Sequence, residues 1–195
     1  MVVVHKDQGS PSGAAPSTLH VPELATLAAT RRLGERLGAL LQPGDVVGLD
    51  GPLGAGKTSL VQGLARGLGV PPGEAVGSPT FTLVNQYRGR AAASPFAEAL
   101  PLTLYHVDLY RLQSARELDE LGLWEAAESG GVMAVEWLSR FPQALPADRL
   151  ELTLDILPTG RRSLQLRASG PQSSLRLGEL QAALQHSRRR RKKTP

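Results

Sequence analysis

The sequence contains no cysteine, which excludes disulfides, thiolate metal sites and a thiol nucleophile, and suits a reducing compartment. It has no apolar run of the length a bilayer requires, and its opening stretch, MVVVHKDQGSPSGAAPST, has no extended apolar region of the secretory type. A soluble, cytoplasmic protein without membrane contact is therefore expected. Lysine is scarce: Lys6, Lys192 and Lys193 lie near the ends, and Lys57 alone serves the body, while arginine supplies nearly every other positive charge. No N-K-x-D segment for guanine recognition is present, which favours adenine over guanine, and there is no internal repeat.

What is present is a chain of 195 residues, 41% hydrophobic, long enough for one domain with a substantial core. The formal charge of +4 misleads, because Arg188 to Lys193 contribute six positive charges; without them 16 basic residues face 18 acidic ones, leaving a body near −2. Such a run can grip phosphate backbones, although blocks of like charge are more commonly solvated, disordered tails. Residues 1–18 are rich in Ser, Pro, Gly and Ala and read as a disordered arm, residues 19–186 as the domain, and residues 187–195 as a basic tail.

Apolar residues near helical spacing predict a helix across VPELATLAATRRLGERLGALL, with Pro22 an early helical residue and Gly44 a stop. DVVGLDG then reads as a buried strand, and KTSLVQGLARGLG as a helix. Next, GSPTFTLVNQYRG leads into a strand that pairs with LTLYHVDLYRL as an antiparallel hairpin across a long Gly89–Pro101 spacer. SARELDELGLWEAAES reads as a helix with Ser114 and Glu117 forming a capping box. GVMAVEW is a strand buried on both faces, RLELTLDIL and RRSLQLRAS form a closing hairpin, and a short helix spans Leu177 to Leu184.

Between the first strand and its helix lies GPLGAGKT, which fits G-x-x-x-x-G-K-[ST] through Gly51, Gly56, Lys57 and Thr58. The glycines let successive amides curl inward, and the helix starting near Lys57 points its positive end into the same hollow. This accounts for the solitary lysine. A compact ammonium can reach along the loop to bridge β- and γ-phosphate oxygens, whereas arginine's planar fork suits bidentate grips. Thr58 would offer its hydroxyl to Mg²⁺.

Hydrolysis also needs acidic groups to hold the metal and position water. Glu136 ends an apolar strand at the carboxyl edge where parallel sheets deliver their ligands. In LYHVDLYRL, alternation puts His106, Asp108 and Tyr110 on one face. SPTFT, Ser78 to Thr82, is a hydroxyl-rich loop able to sense a γ-phosphate, and Trp137 follows Glu136 as either a site neighbour or a core residue.

GPLGAGKTS, SPTFTLV, YHVDLYRL and AVEW, in that order, resemble the TsaE (YjeE) family over roughly residues 20 to 170. These bacterial ATPases act with the TsaB and TsaD proteins in making the N6-threonylcarbamoyl modification of adenosine in tRNAs that read codons beginning with A. The resemblance implies an α/β fold of the P-loop NTPase type: a three-layer sandwich with a mostly parallel sheet and antiparallel hairpin additions. It implies that Leu53, Gly54, Ala55, Gly56, Lys57, Thr58 and Ser59 bind ATP, that Thr58, Glu136 and Asp108 surround Mg²⁺, and that Asp108, Glu136, Lys57 and Thr80 serve catalysis. The PELAT segment and Ser139 look similar to the parts that border the adenine. Partner-stimulated, Mg²⁺-dependent ATP hydrolysis follows as the expected activity. Contact with tRNA would be indirect, the basic tail being a candidate for a direct one.

Pro52 and the long spacer depart from the family pattern, though neither touches a proposed ligand. Two other classes compete. A small-molecule or nucleoside kinase would need an acceptor pocket and an arginine-bearing lid, and the spacer offers only Arg90. A non-catalytic nucleotide switch would leave Asp108 and Glu136 dispensable.

Overall fold

The computed structural model describes residues 18–90, 100–123 and 130–192, with side chains to 186. In chain order the elements are β1 (Thr18–Leu24), α1 (Leu27–Gly38), β2 (Val46–Asp50), α2 (Lys57–Gly67), β3 (Val84–Arg90), β4 (Pro101–Asp108) and α3 (Ala115–Asp119). There follow β5 (Gly131–Glu136), two 3₁₀ turns (Leu138–Arg140 and Pro142–Ala144), β6 (Leu150–Ile156), β7 (Arg162–Ala168) and α4 (Pro171–Lys192).

The strands form one seven-stranded sheet in the order β1-β7-β6-β2-β5-β4-β3. Its centre, β6-β2-β5-β4, is parallel. The flanking pairs β6/β7 and β3/β4 are antiparallel hairpins, as the alternating and turn-bounded segments predict; β1, which no strand prediction covered, pairs antiparallel with β7. Every residue of β5 is buried, because helices or turns cover both faces of the parallel core. On one face Val47, Leu49, Leu104, Val132 and Ala134 pack against α1, α2 and the buried Leu177 and Leu180 of α4. On the other, Val46, Val107, Met133 and Val135 meet Leu118 of α3 and Leu138 of the first 3₁₀ turn. These are the three layers of an α/β sandwich, the second covering much the thinner.

Helices α1 and α2 touch at backbone distance. A Cβ at Gly34 would lie 2.4 Å from the Leu60 carbonyl oxygen and one at Gly38 2.3 Å from that of Leu64; from the opposite side, Gly63 and Gly67 would each meet α1 carbonyls at 2.2 Å. Four glycines thus let the two helices lie closer than any pair of side chains would permit.

Three predicted helices differ in their bounds. The first helix starts at Leu27, not near Pro22, with Thr26 as its cap accepting from the Ala29 amide, and it ends at Gly38 rather than running to Gly44. Pro22 instead lies in β1, an edge strand with an irregular register between Val21 and Leu24, where a missing N–H costs least. Ser114 caps α3 through the Glu117 amide as predicted, but that helix spans only Ala115–Asp119, and Gly122 turns the chain with φ of 59°. The last helix is longer than predicted: anchored by Leu177 and Leu180, α4 continues through the arginine run, residues with good helix propensity, to Lys192. The N-terminal arm up to residue 17, most of the spacer (91–99) and the rest of the predicted third helix (124–129) lie outside the described residues.

Candidate active site

From Asp50 at the carboxyl end of β2 the chain turns through Gly51, Gly54 and Gly56 at φ of 136°, 80° and 107°. Glycine alone adopts these values without strain. Gly51 has a second reason: a Cβ there would lie 2.2 Å from the Leu154 carbonyl oxygen. Leu53 stands exposed at the loop tip and Ala55 is buried beneath it. Gly56 is the N-cap of α2 and supplies no side-chain cap, so the first-turn amides remain free for an anion.

Lys57 opens α2 and is 5% exposed. Its ammonium donates to the carbonyls of Gly51 at 2.7 Å and Pro52 at 3.2 Å. It also lies 3.8 Å from the centroid of the Trp137 ring. Burial pushes its pKa below the ordinary lysine value, against the opposing pull of Glu136, Asp108 and Asp50. Among the described residues no carboxylate lies within ion-pair distance of it. Trp137 is held in position by its own backbone, a left-handed φ of 65° with its amide bonded to the Leu49 carbonyl at 2.7 Å, and its ring meets Tyr110 at 5.0 Å. It is a neighbour of the site, not a core residue.

Parallel pairing aligns Asp108 of β4 with Glu136 of β5 and brings His106 to the same face, above the start of α2. Glu136 Oε1 accepts from the Thr58 hydroxyl and meets His106 Nε2, both at 2.9 Å. Asp108 Oδ2 accepts from Thr80 at 2.6 Å and Ser78 at 3.2 Å, and its Oδ1 from the Tyr110 amide at 2.9 Å. The 78–82 loop is thereby tied to the strand end, and it closes through Leu83, whose φ is 63° and whose carbonyl accepts from the Asp108 amide. Tyr110 itself is past the end of β4 and exposed, so alternation did not carry it to the shared face.

Ser59, in the first turn of α2, is partly buried. Ser139 is exposed in the first 3₁₀ turn, where its amide and hydroxyl both donate to the Asp50 carboxylate. Of PELAT, Pro22 to Leu24 end β1 and Thr26 caps α1. Sequence reasoning missed three features: the His106–Glu136 contact, the Asp50–Ser139 bonds, and Arg162, which reaches the Gly54 carbonyl at 3.4 Å. Only the first had a signal, since His106 shares a face with Asp108. For the Mg²⁺ ion that the family resemblance implies, Thr58, Asp108 and Glu136 offer a hydroxyl and two carboxylates, hard oxygen donors of the kind such an ion takes. Among the described residues no group of three or more His, Cys, Asp or Glu side chains is placed to hold a metal ion by itself.

A cavity of about 200 Å³ bounded by Asp45, Asp148 and Arg176 lies at the opposite, amino edge of the sheet. Its charged groups are already matched, Asp45 with Arg176, Asp148 with the start of α4 and Arg149 with Glu151, which does not suit a reactive centre.

Residues 24–164 match the family model for the threonylcarbamoyl adenosine biosynthesis protein TsaE. The chain belongs to the TsaE family. A TsaE protein of Treponema pallidum is 42% identical over 69% of this chain and 90% of its own length. The Bacillus subtilis TsaE is 34% identical over 77% and 87%, and that of Synechocystis 46% identical over 62% and 71%. All three are described as tRNA threonylcarbamoyladenosine biosynthesis proteins. The crystal structure of Bacillus subtilis YdiB superposes with a TM-score of 0.67 at 28% identity, covering 85% of this chain and 95% of that one. The TsaE match spans the phosphate loop, the hydroxyl-rich loop, β4 and β5, while all of α4 lies beyond it. No helix among the described residues is long and apolar enough to cross a membrane.

Proposed function

We propose that this TsaE-family protein binds and hydrolyses Mg²⁺-ATP in support of N6-threonylcarbamoyladenosine formation in tRNAs that read codons beginning with A, acting with TsaB and TsaD. The observation that carries the reading is the Thr58–Glu136 hydrogen bond, which joins the phosphate loop to the acidic strand end across 78 residues of sequence. In P-loop hydrolases that pair shares the metal.

Among the described residues Lys57 holds only two carbonyls and an aromatic face, and a phosphate chain entering the loop would take the ammonium from them. The loop amides and the start of α2 would grip the same phosphates. Thr58 and Glu136 would hold Mg²⁺, with Asp108 beside it. When bound, the metal neutralises charge developing on the β- and γ-phosphoryl oxygens. Asp108 and Thr80 would orient the water whose oxygen bonds to the γ-phosphorus as the bond to the bridging oxygen breaks, giving ADP and phosphate. Catalysis of this kind is positioning and charge stabilisation, so a loop tied down by Asp108 suits a rate that partners raise by completing the site.

The kinase reading loses support from the hairpin. β3 ends at Arg90 and β4 begins at Pro101, at the amino edge, seven residues or about 23 Å of strand from Asp108.

The test is ATP turnover by the purified protein, alone and with TsaB and TsaD from the same source. Strong stimulation by the pair is expected, and Asp108→Asn or Glu136→Gln should each lower the stimulated rate about 100-fold. Hydrolysis that survives both substitutions would sink the catalytic assignment. ATP binding without stimulation would demote the tRNA-modification role.

A further inference from the structure

His106 is wholly buried, and among the described residues its side chain hydrogen-bonds only a carboxylate. Burying an imidazole in a strand that could take valine or leucine at that position is costly unless the ring does something an aliphatic side chain cannot. We infer that His106 is a positioning residue that holds the Glu136 carboxylate in its metal-binding orientation, away from Lys57; the inference rests on the proposed role of Glu136.

The geometry supports this in three ways. An ionised carboxylate only accepts hydrogen bonds, so with Glu136 ionised the proton between the two side chains sits on His106 Nε2 and is donated to Oε1. Among the described residues the other ring nitrogen, Nδ1, is buried without a partner, so the ring makes its polar contact through Nε2 alone. It is aimed by the strand pairing that sets His106 opposite Ala134, two residue pairs before Glu136 and on the same face.

Second, among the described residues both side-chain donors to Glu136 fall on the same oxygen: Thr58 from the phosphate loop and His106 from β4, each at 2.9 Å. Two donors from two elements fix the carboxylate plane more tightly than either alone, and they leave Oε2 outside that grip. Third, the nearby Lys57 ammonium attracts Glu136, yet the two form no ion pair. A carboxylate released from His106 could swing to the ammonium. That would neutralise the group meant for phosphates and withdraw the group meant for the metal in one move. Holding the acid and the lysine apart before nucleotide arrives is a form of preorganisation, and partners of a ligand set of this kind typically change metal affinity 10- to 100-fold.

The experiment compares the parent with His106→Phe, which keeps a buried ring without the donor, and His106→Gln, whose side-chain amide can place a donor where Nε2 lies. Affinity for a fluorescent ATP analogue is measured in EDTA and across a Mg²⁺ titration, alongside the Mg²⁺ concentration giving half-maximal turnover. For His106→Phe we expect a small loss of affinity in EDTA, as Glu136 competes for Lys57, and a far larger effect with the metal, the Mg²⁺ requirement rising about tenfold or more. His106→Gln should recover most of that loss. Should His106→Phe fail to fold, His106→Asn, whose amide is too short to reach Oε1, takes its place against His106→Gln. Equal weakening with and without Mg²⁺ would assign His106 a merely structural role and overturn the inference, as would a parent-like Mg²⁺ titration in the variants. If the parent itself shows no Mg²⁺-dependent gain in affinity or turnover, the proposed function of the site fails first, and the inference with it.

Discussion

The two ends of the parallel sheet both gather charge, but they treat it differently. At the amino edge each group is matched: Asp45 accepts from the Gln42 amide at 2.7 Å and from Arg176 at 2.8 Å, while Asp148 accepts from the first amides of α4. At the carboxyl edge a lysine rests on two carbonyls, Asp108 is served by hydroxyls of a loop, and Glu136 shares one oxygen between Thr58 and His106. The first arrangement locks elements together. The second keeps charges close without letting them cancel, which is what a polyanion and a cation would need on arrival. Charge clusters in one small domain can thus be sorted into joints and sites by asking which are already neutralised.

The largest effect that would break this distinction is at Lys57. Lys57→Arg keeps the charge but replaces the compact ammonium with a fork too broad for the loop, and ATP turnover should fall at least about 100-fold with little change in thermal stability. A mild loss would mean that the loop is less exacting than its geometry implies. At the other end, Arg176→Ala should do the reverse. It leaves Asp45, whose pKa burial already pushes above the ordinary range, without its ion partner, so unfolding free energy in urea should drop by about 3 kcal/mol. Turnover per folded molecule should stay near that of the parent.

Asp148→Ala is the finer test, with about 1 kcal/mol lost at neutral pH through removal of a helix-capping carboxylate. Burial opposes ionisation of Asp148, but the hydrogen bonds from Ser173 and Gln172 together outweigh it and hold its pKa below the ordinary 3.8. Its stabilisation is therefore complete above that unfolded-state value and disappears as pH falls through the lower native one. Parent and variant should converge in stability on acidification, and a gap that persists in strong acid would show that the loss is packing rather than charge.

The same contrast explains what was legible in the sequence. Gly51, Gly56, Lys57 and Thr58 announce themselves because a phosphate loop depends on adjacent residues, and Glu136 because a buried strand must end somewhere. The amino-edge joints carry no such signal: Asp45 and Arg176 are 131 positions apart, and their meeting depends on how α4 docks. His106 was placed on the right face by alternation, but its partner in another strand follows only from the β4–β5 register. Pro22 misled because its preference for the first turn of a helix competes with its tolerance in an edge strand, and only the sheet order reveals which applies.

The glycine contacts between α1 and α2 constrain how this chain can change over time. A side chain colliding with another side chain can be rescued by trimming its neighbour, so most core positions drift in compensating pairs. At Gly34, Gly38, Gly63 and Gly67 the obstacle is the carbonyl backbone of the other helix, which no substitution can trim. Escape would require both helices to part, and since α2 begins at Lys57, the phosphate loop would move with them. The seam makes four unremarkable positions, remote from any reacting atom, as hard to replace one at a time as the lysine itself.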